Sequence, residues 1–300
     1  MKSMIKRLIF LYVVVLCPLP TQAQQLVNLS SWNMEWLDLH GNERFAPSLR
    51  NSDDFYKMSH YLETPIPMIL AFQEVSSNEA ISKVVGDQYN IYLSDRSLAK
   101  FDHLQFEDIN QYTGFAVAKS LPVSDPTDIN LLSSTQSNSK RKLRFASYII
   151  IETEQPIHLL NVHLKAGCSG KFRTNRNCNT LRQQAKAMND WISDREASNQ
   201  SYAIVGDFNH NLAYPNDWMW EVLAENTSAR LATQNTKANC KVRSRNDPNQ
   251  LHQFRSLIDH MVVSKSLELS VPKQMTFRPD DVLNYQLSDH CPISATLTLP

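Results

Sequence analysis

Residues 203–211 read AIVGDFNHN. The run is apolar as far as Val205 and then breaks into a glycine, a carboxylate and a carboxamide. Asp207 and Asn209 stand two residues apart, so on an extended chain their side chains leave the same face. Taken alone, the pair reads equally well as a turn in which Asp and Asn bond their own backbone. Four other apolar runs end with similar polar chemistry: SWNMEW (31–36), LAFQEV (70–75), NVHLKAG (161–167) and LSDHCP (287–292), and LIDHMVV (257–263) makes a further member. Any one of these is an ordinary strand end. Together they supply a metal-binding carboxylate, two imidazoles, two further aspartates and two asparagines, the set that phosphoryl chemistry with a divalent cation needs.

The apolar bodies of these segments are short and rich in β-branched residues. Strands are expected over 26–32, 68–74, 114–119, 144–151, 156–164, 202–208, 256–264 and 293–299. Helical periodicity appears over 51–63, 179–196 and 216–225. In the second of these, Leu181, Ala185, Met188 and Ile192 share one face, with Asn179 or Thr180 as cap. Several strands adjoin one another without an intervening helix. That argues for an α+β fold with two packed sheets over a doubly wound parallel sheet.

The N-terminus carries Lys2, Lys6 and Arg7, then the apolar run LIFLYVVVLC (8–17), then Thr21 and Ala23 in small-x-small spacing. This is the order of a secretory signal peptide. The run is short for a permanent membrane helix, so cleavage after Ala23, an exported product spanning 24–300 as one domain and no stable membrane anchor are expected. Cleavage would remove three basic residues and no acidic ones from a chain with 30 of each, leaving 27 − 30 = −3. Any grip on a polyanion must then come from a local patch rather than the overall field. Four cysteines would remain: Cys168, Cys178, Cys240 and Cys291. An even count in an oxidising compartment points to disulfides. Of the possible pairings, Cys168–Cys178, which closes a short polar loop, and Cys240–Cys291 are favoured. No zinc spacing competes. The chain has only six glycines and no Gly-rich phosphate loop, which argues against P-loop nucleotide hydrolysis.

The segments WN, QE, VH, GDFN and a near-terminal SDH, in that order, resemble the endonuclease/exonuclease/phosphatase superfamily, the fold of pancreatic deoxyribonuclease. The likeness runs from about residue 26 to about 298. It implies a four-layered α/β sandwich, two packed and mostly antiparallel sheets flanked by helices. It also implies a divalent cation, Mg²⁺ or alternatively Mn²⁺ or Ca²⁺, with Glu74 as first ligand and Asn33 and Asp289 as further ones. Glu35 is in phase with Asn33 and reads either as a peripheral ligand or as a surface carboxylate. His290 resembles the family histidine beside the attacking water, with Asp259 as its carboxylate partner. His163 resembles the second histidine, near the leaving group. Asp207 would orient or deprotonate the water and Asn209 would bond a phosphoryl oxygen. His158, His210 and His260 read as structural.

Tyr112 falls where relatives place a phosphate-contacting tyrosine. The glutamate that supports the second histidine in the deoxyribonuclease branch has no evident counterpart, Gln111 standing in that region. Two basic clusters could hold a nucleic-acid backbone. One is KRKLR (140–144), for which a solvated loop is the simpler reading. The other is Lys165, Lys171, Arg173, Arg176 and Arg182, of which Lys165 and Arg173 are the substrate-binding candidates. The expectation is an exported, secreted or periplasmic, monomeric metal-dependent phosphodiesterase with nucleic acid as substrate, DNA first and RNA as the alternative. A phosphoesterase acting on a lipid or small phosphate ester is the alternative, and an inactive binding protein the third reading.

Overall fold

Strands that are apolar on both faces must be covered on both sides. Along 69–72 this chain reads Ile-Leu-Ala-Phe, and along 203–205 Ala-Ile-Val, with no polar alternation. The computed structural model describes residues 25–132 and 142–299. The leader with its cleavage point after Ala23, and Lys140 and Arg141 of KRKLR, lie outside the described residues.

In chain order the elements are β1 (Gln25–Leu37), α1 (Ser52–His60), β2 (Ile69–Val75), α2 (Asn78–Val85), β3 (Tyr89–Leu93), β4 (Tyr112–Ala118), β5 (Val123–Ser124), β6 (Ser147–Ile151) and β7 (Ile157–His163). There follow α3 (Arg176–Ala197), β8 (Ser201–Asp207), α4 (Trp218–Leu223), β9 (Arg230–Leu231), β10 (Lys241–Arg243), β11 (Leu251–Gln253), β12 (Asp259–Val263), β13 (Lys273–Gln274), α5 (Pro279–Asn284) and β14 (Ile293–Leu299). One six-stranded sheet has the order β13-β14-β1-β2-β4-β3, the other β5-β6-β7-β8-β12-β9, and β10–β11 form a separate hairpin. Each large sheet is antiparallel except for one central parallel pair, β1–β2 in the first and β7–β8 in the second.

Alternate residues of each strand go to different cores. Leu29, Ile69 and Ala71 of the first sheet meet Leu159, Ala203, Val205 and Met261 of the second in a central layer. Leu70 and Phe72 point outward to Phe55, Met58 and Ile81 of α1 and α2. Leu160 and Ile204 point outward to Leu181, Ala185, Met188 and Ile192 of α3. The result is the four-layered α/β sandwich. Among the described residues no helix is long and apolar enough to cross a membrane.

All eight expected strands are present, and the three expected helices are present with shifted ends. α3 starts earlier than its apolar stripe, because Asn175 rather than Asn179 or Thr180 caps it, accepting from the Cys178 amide at 2.9 Å. Its first turn is polar, so periodicity could not find it. α1 is closed by a capping box between Asn51 and Asp54, and α4 by Asp217. The disulfides are Cys168–Cys178 and Cys240–Cys291. The first closes the loop leading into α3, and the second ties the start of the β10–β11 hairpin to the residue after His290.

Gly206 explains the glycine in AIVGDFN. It pairs with Val162 across the parallel β7–β8 ladder with φ of 133°. A Cβ there would run into the carbonyl oxygen of Val162, a backbone atom that cannot swing aside. Gly206→Ala is therefore expected to destabilise the protein by more than about 2 kcal/mol in denaturant unfolding; a change within experimental error would show that the strands separate there at no cost.

Candidate functional site

The central layer changes character toward one end. Following the inward phase along each strand, Leu29 gives way to Ser31 and Asn33, Ala71 to Gln73, Leu159 to Asn161 and His163, and Val205 to Asp207; Asp259 lies beyond Met261. Register then sets these residues side by side: Asn33 opposite Gln73, His163 opposite Asp207, and Asp207 opposite Asp259. Beneath them Gln73 donates to Asn161 Oδ1 at 2.7 Å, and the Asn161 amide donates to the carbonyls of Phe72 and Gly114 at 2.8 and 2.7 Å. This buried bridge joins the two sheets directly under the polar end.

Glu74 is out of phase with Gln73 but reaches the same place. Its φ is 59°, and the β2–β4 ladder is irregular between Phe72 and Val75. Glu35, Trp36 and Asn209 are left-handed as well, with φ of 43°, 54° and 52°. Non-glycine residues in this region are strained, and four of them border one cleft. Arg50 holds the distorted end of β1. Its guanidinium donates to the carbonyls of Met34, Glu35, Trp36, Gln286 and Leu287 at 2.6–3.3 Å, tying β1 to the segment that carries Asp289.

Two groups of side chains result. The first is a carboxylate cradle of Glu35, Glu74 and Asp289. Glu74 accepts from the Trp36 amide (3.2 Å), the Asn33 amide (3.2 Å) and Gln111 Nε2 (2.6 Å). Glu35 accepts from the Asp289 amide at 2.9 Å, and Asp289 pairs with exposed Arg245 at 2.6 Å. Burial, and then the charges of Asp289 and Glu74, push the Glu35 carboxyl up to about 8, with Arg50 opposing. These are oxygen donors of the kind a hard divalent cation takes, while the group whose ligand atoms all lie within 4.8 Å of one another among the described residues is Asp207, Asp259 and His290. Asn33 links the two groups. Its carbonyl accepts from the Glu35 amide, and its Nδ2 donates to Glu74 and, at 3.0 Å, to Asp207.

The second group is His163, Asp207, Asp259 and His290. His290 Nδ1 lies 2.8 Å from Asp259 Oδ2, and its Nε2 is 3.9 Å from Asp207 and 3.8 Å from Asp289. Burial works against the imidazolium, but Asp259 and Asp207 outweigh it and hold His290 protonated well above its ordinary range. Asp207 is pushed up to about 7, chiefly by burial, with His290 opposing and Asp259 reinforcing. Asn209 fixes Asp207 through its backbone amide (2.8 Å) and its Nδ2 (3.2 Å), and bonds the Leu164 carbonyl as well.

His163 Nε2 lies 3.5 Å from Glu74 and 3.6 Å from Asp207. Burial, then Arg144 and His290, hold it neutral, well below its ordinary range. Its Nδ1 is buried without a partner among the described residues. Gln111 does not support it; instead it bridges Glu74 to the Arg144 guanidinium.

Glu74, His163, Asp207, Asn209, Asp259, Asp289 and His290 are thus gathered in one cleft. Tyr112 is buried at the start of β4 with the Arg96 guanidinium 5.0 Å from its ring, and its hydroxyl makes no hydrogen bond among the described residues. Lys165 flanks the cleft two residues beyond His163, while Arg173 is exposed on the disulfide-closed loop. His158 pairs with Tyr148, His210 with Asp217 and the Cys168 carbonyl, and His260 with Thr233 and the Leu212 amide, all away from the cleft. Sequence reasoning missed Arg50, the Gln111–Arg144 link and the Gln73–Asn161 bridge. Only the last left a signal: two amides at inward positions of otherwise apolar strands.

No family model matches the sequence, and no curated protein matches it. Solved structures do. A truncated TDP2 from Caenorhabditis elegans matches 91% of this chain and 98% of its own at 20% identity, with a TM-score of 0.60. An endonuclease/exonuclease/phosphatase from Bacteroides vulgatus matches 92% and 100% at 15% identity, TM-score 0.66. A mannosyl-6-phosphatase from Bacteroides thetaiotaomicron matches 91% and 100% at 13% identity, TM-score 0.63. With the sandwich topology and the cleft at its polar end, these place the chain in the endonuclease/exonuclease/phosphatase, deoxyribonuclease-I-like, fold.

Proposed function

We propose that the protein is an exported, divalent-metal-dependent hydrolase that cleaves phosphodiester bonds in DNA, with RNA as the alternative polymer, by in-line attack of water. The observation that carries this reading is the convergence of Glu74, His163, Asp207, Asn209 and His290 on one cleft, with the carboxylates of Glu35 and Asp289 beside it. Two disulfides fit an oxidising compartment.

A cation held by Glu74 and Asp289, with Glu35 behind them, would supply charge neutralisation at the phosphoryl oxygens and leaving oxygen. The remaining work falls to the chain itself. Asp207, poised near neutrality, takes a proton from the attacking water. Asn33 and Asn209 hold its carboxylate in place, and Asn209 reaches a phosphoryl oxygen only by giving up its bond to the Leu164 carbonyl. His290, kept cationic by Asp259, donates from Nε2 to the phosphoryl group as negative charge builds. His163 is neutral, so its part is a hydrogen bond to the departing oxygen rather than release of a full charge. The new P–O bond forms from water as the bond to the leaving oxygen breaks. The shared fold with a mannosyl-6-phosphatase favours the second reading, a small phosphate ester as substrate.

Purified protein should relax and degrade plasmid DNA with Mg²⁺ and stop on adding chelator; cleavage of lipid or sugar phosphates but not DNA would favour the second reading. Asp207→Asn and His290→Ala are each expected to lower kcat by about 10²–10⁴-fold with an unchanged far-ultraviolet spectrum. A loss under threefold in either would remove that residue from the mechanism.

The cradle also predicts a stability signature that needs no turnover. A carboxyl raised from 4.5 to about 8 in the fold favours the folded state below pH 4.5, and that contribution is lost as pH rises through 8. In chelator, the melting temperature should therefore carry a declining contribution between those values. Mg²⁺ or Mn²⁺ should restore it most at pH 8, and Glu74→Gln should abolish the restoration. Equal metal response in Glu74→Gln and wild type would place the ion elsewhere.

A further inference from the structure

Outside the reacting cleft, one cavity of about 380 Å³ is lined by Phe106, Lys142, Lys165, Arg176, Asn177 and Thr180 among others, and by no carboxylate. It lies where the segment before β6, the end of β7 and the first turn of α3 meet. Lys142, Lys165 and Arg176 make no ion pair among the described residues. Lys165 is half-buried, and its ammonium is held below its ordinary range by burial, then by Arg144 and Arg176. Three cations converging on one hollow repel one another, and an anion would relieve all three. The exposed Phe106 ring forms one wall and carries the Lys142 ammonium 5.5 Å from its centre.

The cavity is continuous in sequence with the cleft at two points. Lys165 is two residues after His163, and Lys142 is two residues before Arg144, which reaches Glu74 through Gln111. Two residues of extended chain span about 7 Å, so a group seated here is the neighbour of one held at His163. We infer that the cavity is a subsite for a second phosphate, one carried by the substrate beside the phosphate that is cleaved. The inference rests on the phosphodiesterase reading above and narrows it. It favours substrates with at least two phosphates, whether successive phosphates of a nucleic-acid strand or the second phosphate of a bisphosphate ester, over a sugar bearing one.

Calorimetric titration of the full chain with inorganic pyrophosphate, in chelator and at constant ionic strength, tests the subsite without turnover. The Lys142→Gln/Arg176→Gln double variant is expected to bind at least about tenfold more weakly than wild type, a difference of about 1.4 kcal/mol, while Lys83→Gln, exposed on α2 and outside the cavity, binds within about threefold of wild type. Equal affinity in the double variant and wild type, or an equal loss in Lys83→Gln, overturns the inference even if the protein proves to cleave DNA. Kinetics then identifies the source of the phosphate. KM for a thymidine dinucleotide should fall when a terminal phosphate is added, and the double variant should lose that advantage; the same advantage found only with a sugar bisphosphate over its monophosphate would assign the subsite to small esters. No advantage from a second phosphate on any cleaved ester contradicts the inference while leaving the hydrolase reading intact.

Discussion

The structure depends on one constraint: the layer between the two sheets must change from apolar to polar along its length without letting the sheets part. Over most of its span, aliphatic residues from both sheets fill it. At the cleft end the same strand phase delivers amides, carboxylates and imidazoles, which cannot cohere by burial alone. The Gln73–Asn161 bridge resolves this, because both amides are fully buried and span from β2 to β7, with further bonds to Ser31, Phe72 and Gly114. Gln73 Oε1 is buried without a partner among the described residues, but the amide bonds that do cross between the sheets favour one alignment of them. That alignment in turn sets His163 and Asp207, on one sheet, against Asn33 and Glu74, on the other.

The electrostatics follow from where the counter-charges are placed. Arg50 stands behind the cradle and spends its donors on five backbone carbonyls. Arg144 is engaged with Gln111. Neither pairs directly with Glu35 or Glu74, and Asp289 is paired only with exposed Arg245, so the carboxylates stand beside a histidine held cationic and another held neutral. Pairs of titratable groups driven apart in this way are what divides acid from base roles. The flanking cavity carries the opposite sign.

Much of this was legible in the sequence because strand phase is legible. Two-residue spacing placed Asp207 and Asn209 on one side, and the bodies of the eight strands were visible as apolar runs. The short strands β5, β9 and β13 were not, being two residues each and defined by their partners rather than by composition. α3 began five residues before its apolar stripe, since a cap and a disulfide rather than periodicity set its start. Glu74 was identified by its motif, yet by phase alone it points away; only its left-handed backbone turns it inward. Arg50 and Gln111 were illegible for a different reason. Each acts by hydrogen bonds to residues far away in the chain, and nothing local to either predicts its partner.

The most direct test is anomalous diffraction from crystals soaked in Mn²⁺. The account predicts one strong peak at ordinary ligand distance, about 2.0–2.6 Å, from the Glu74 carboxylate and facing Asp289. A cleft without manganese, or a peak held by groups remote from Glu74, would contradict it.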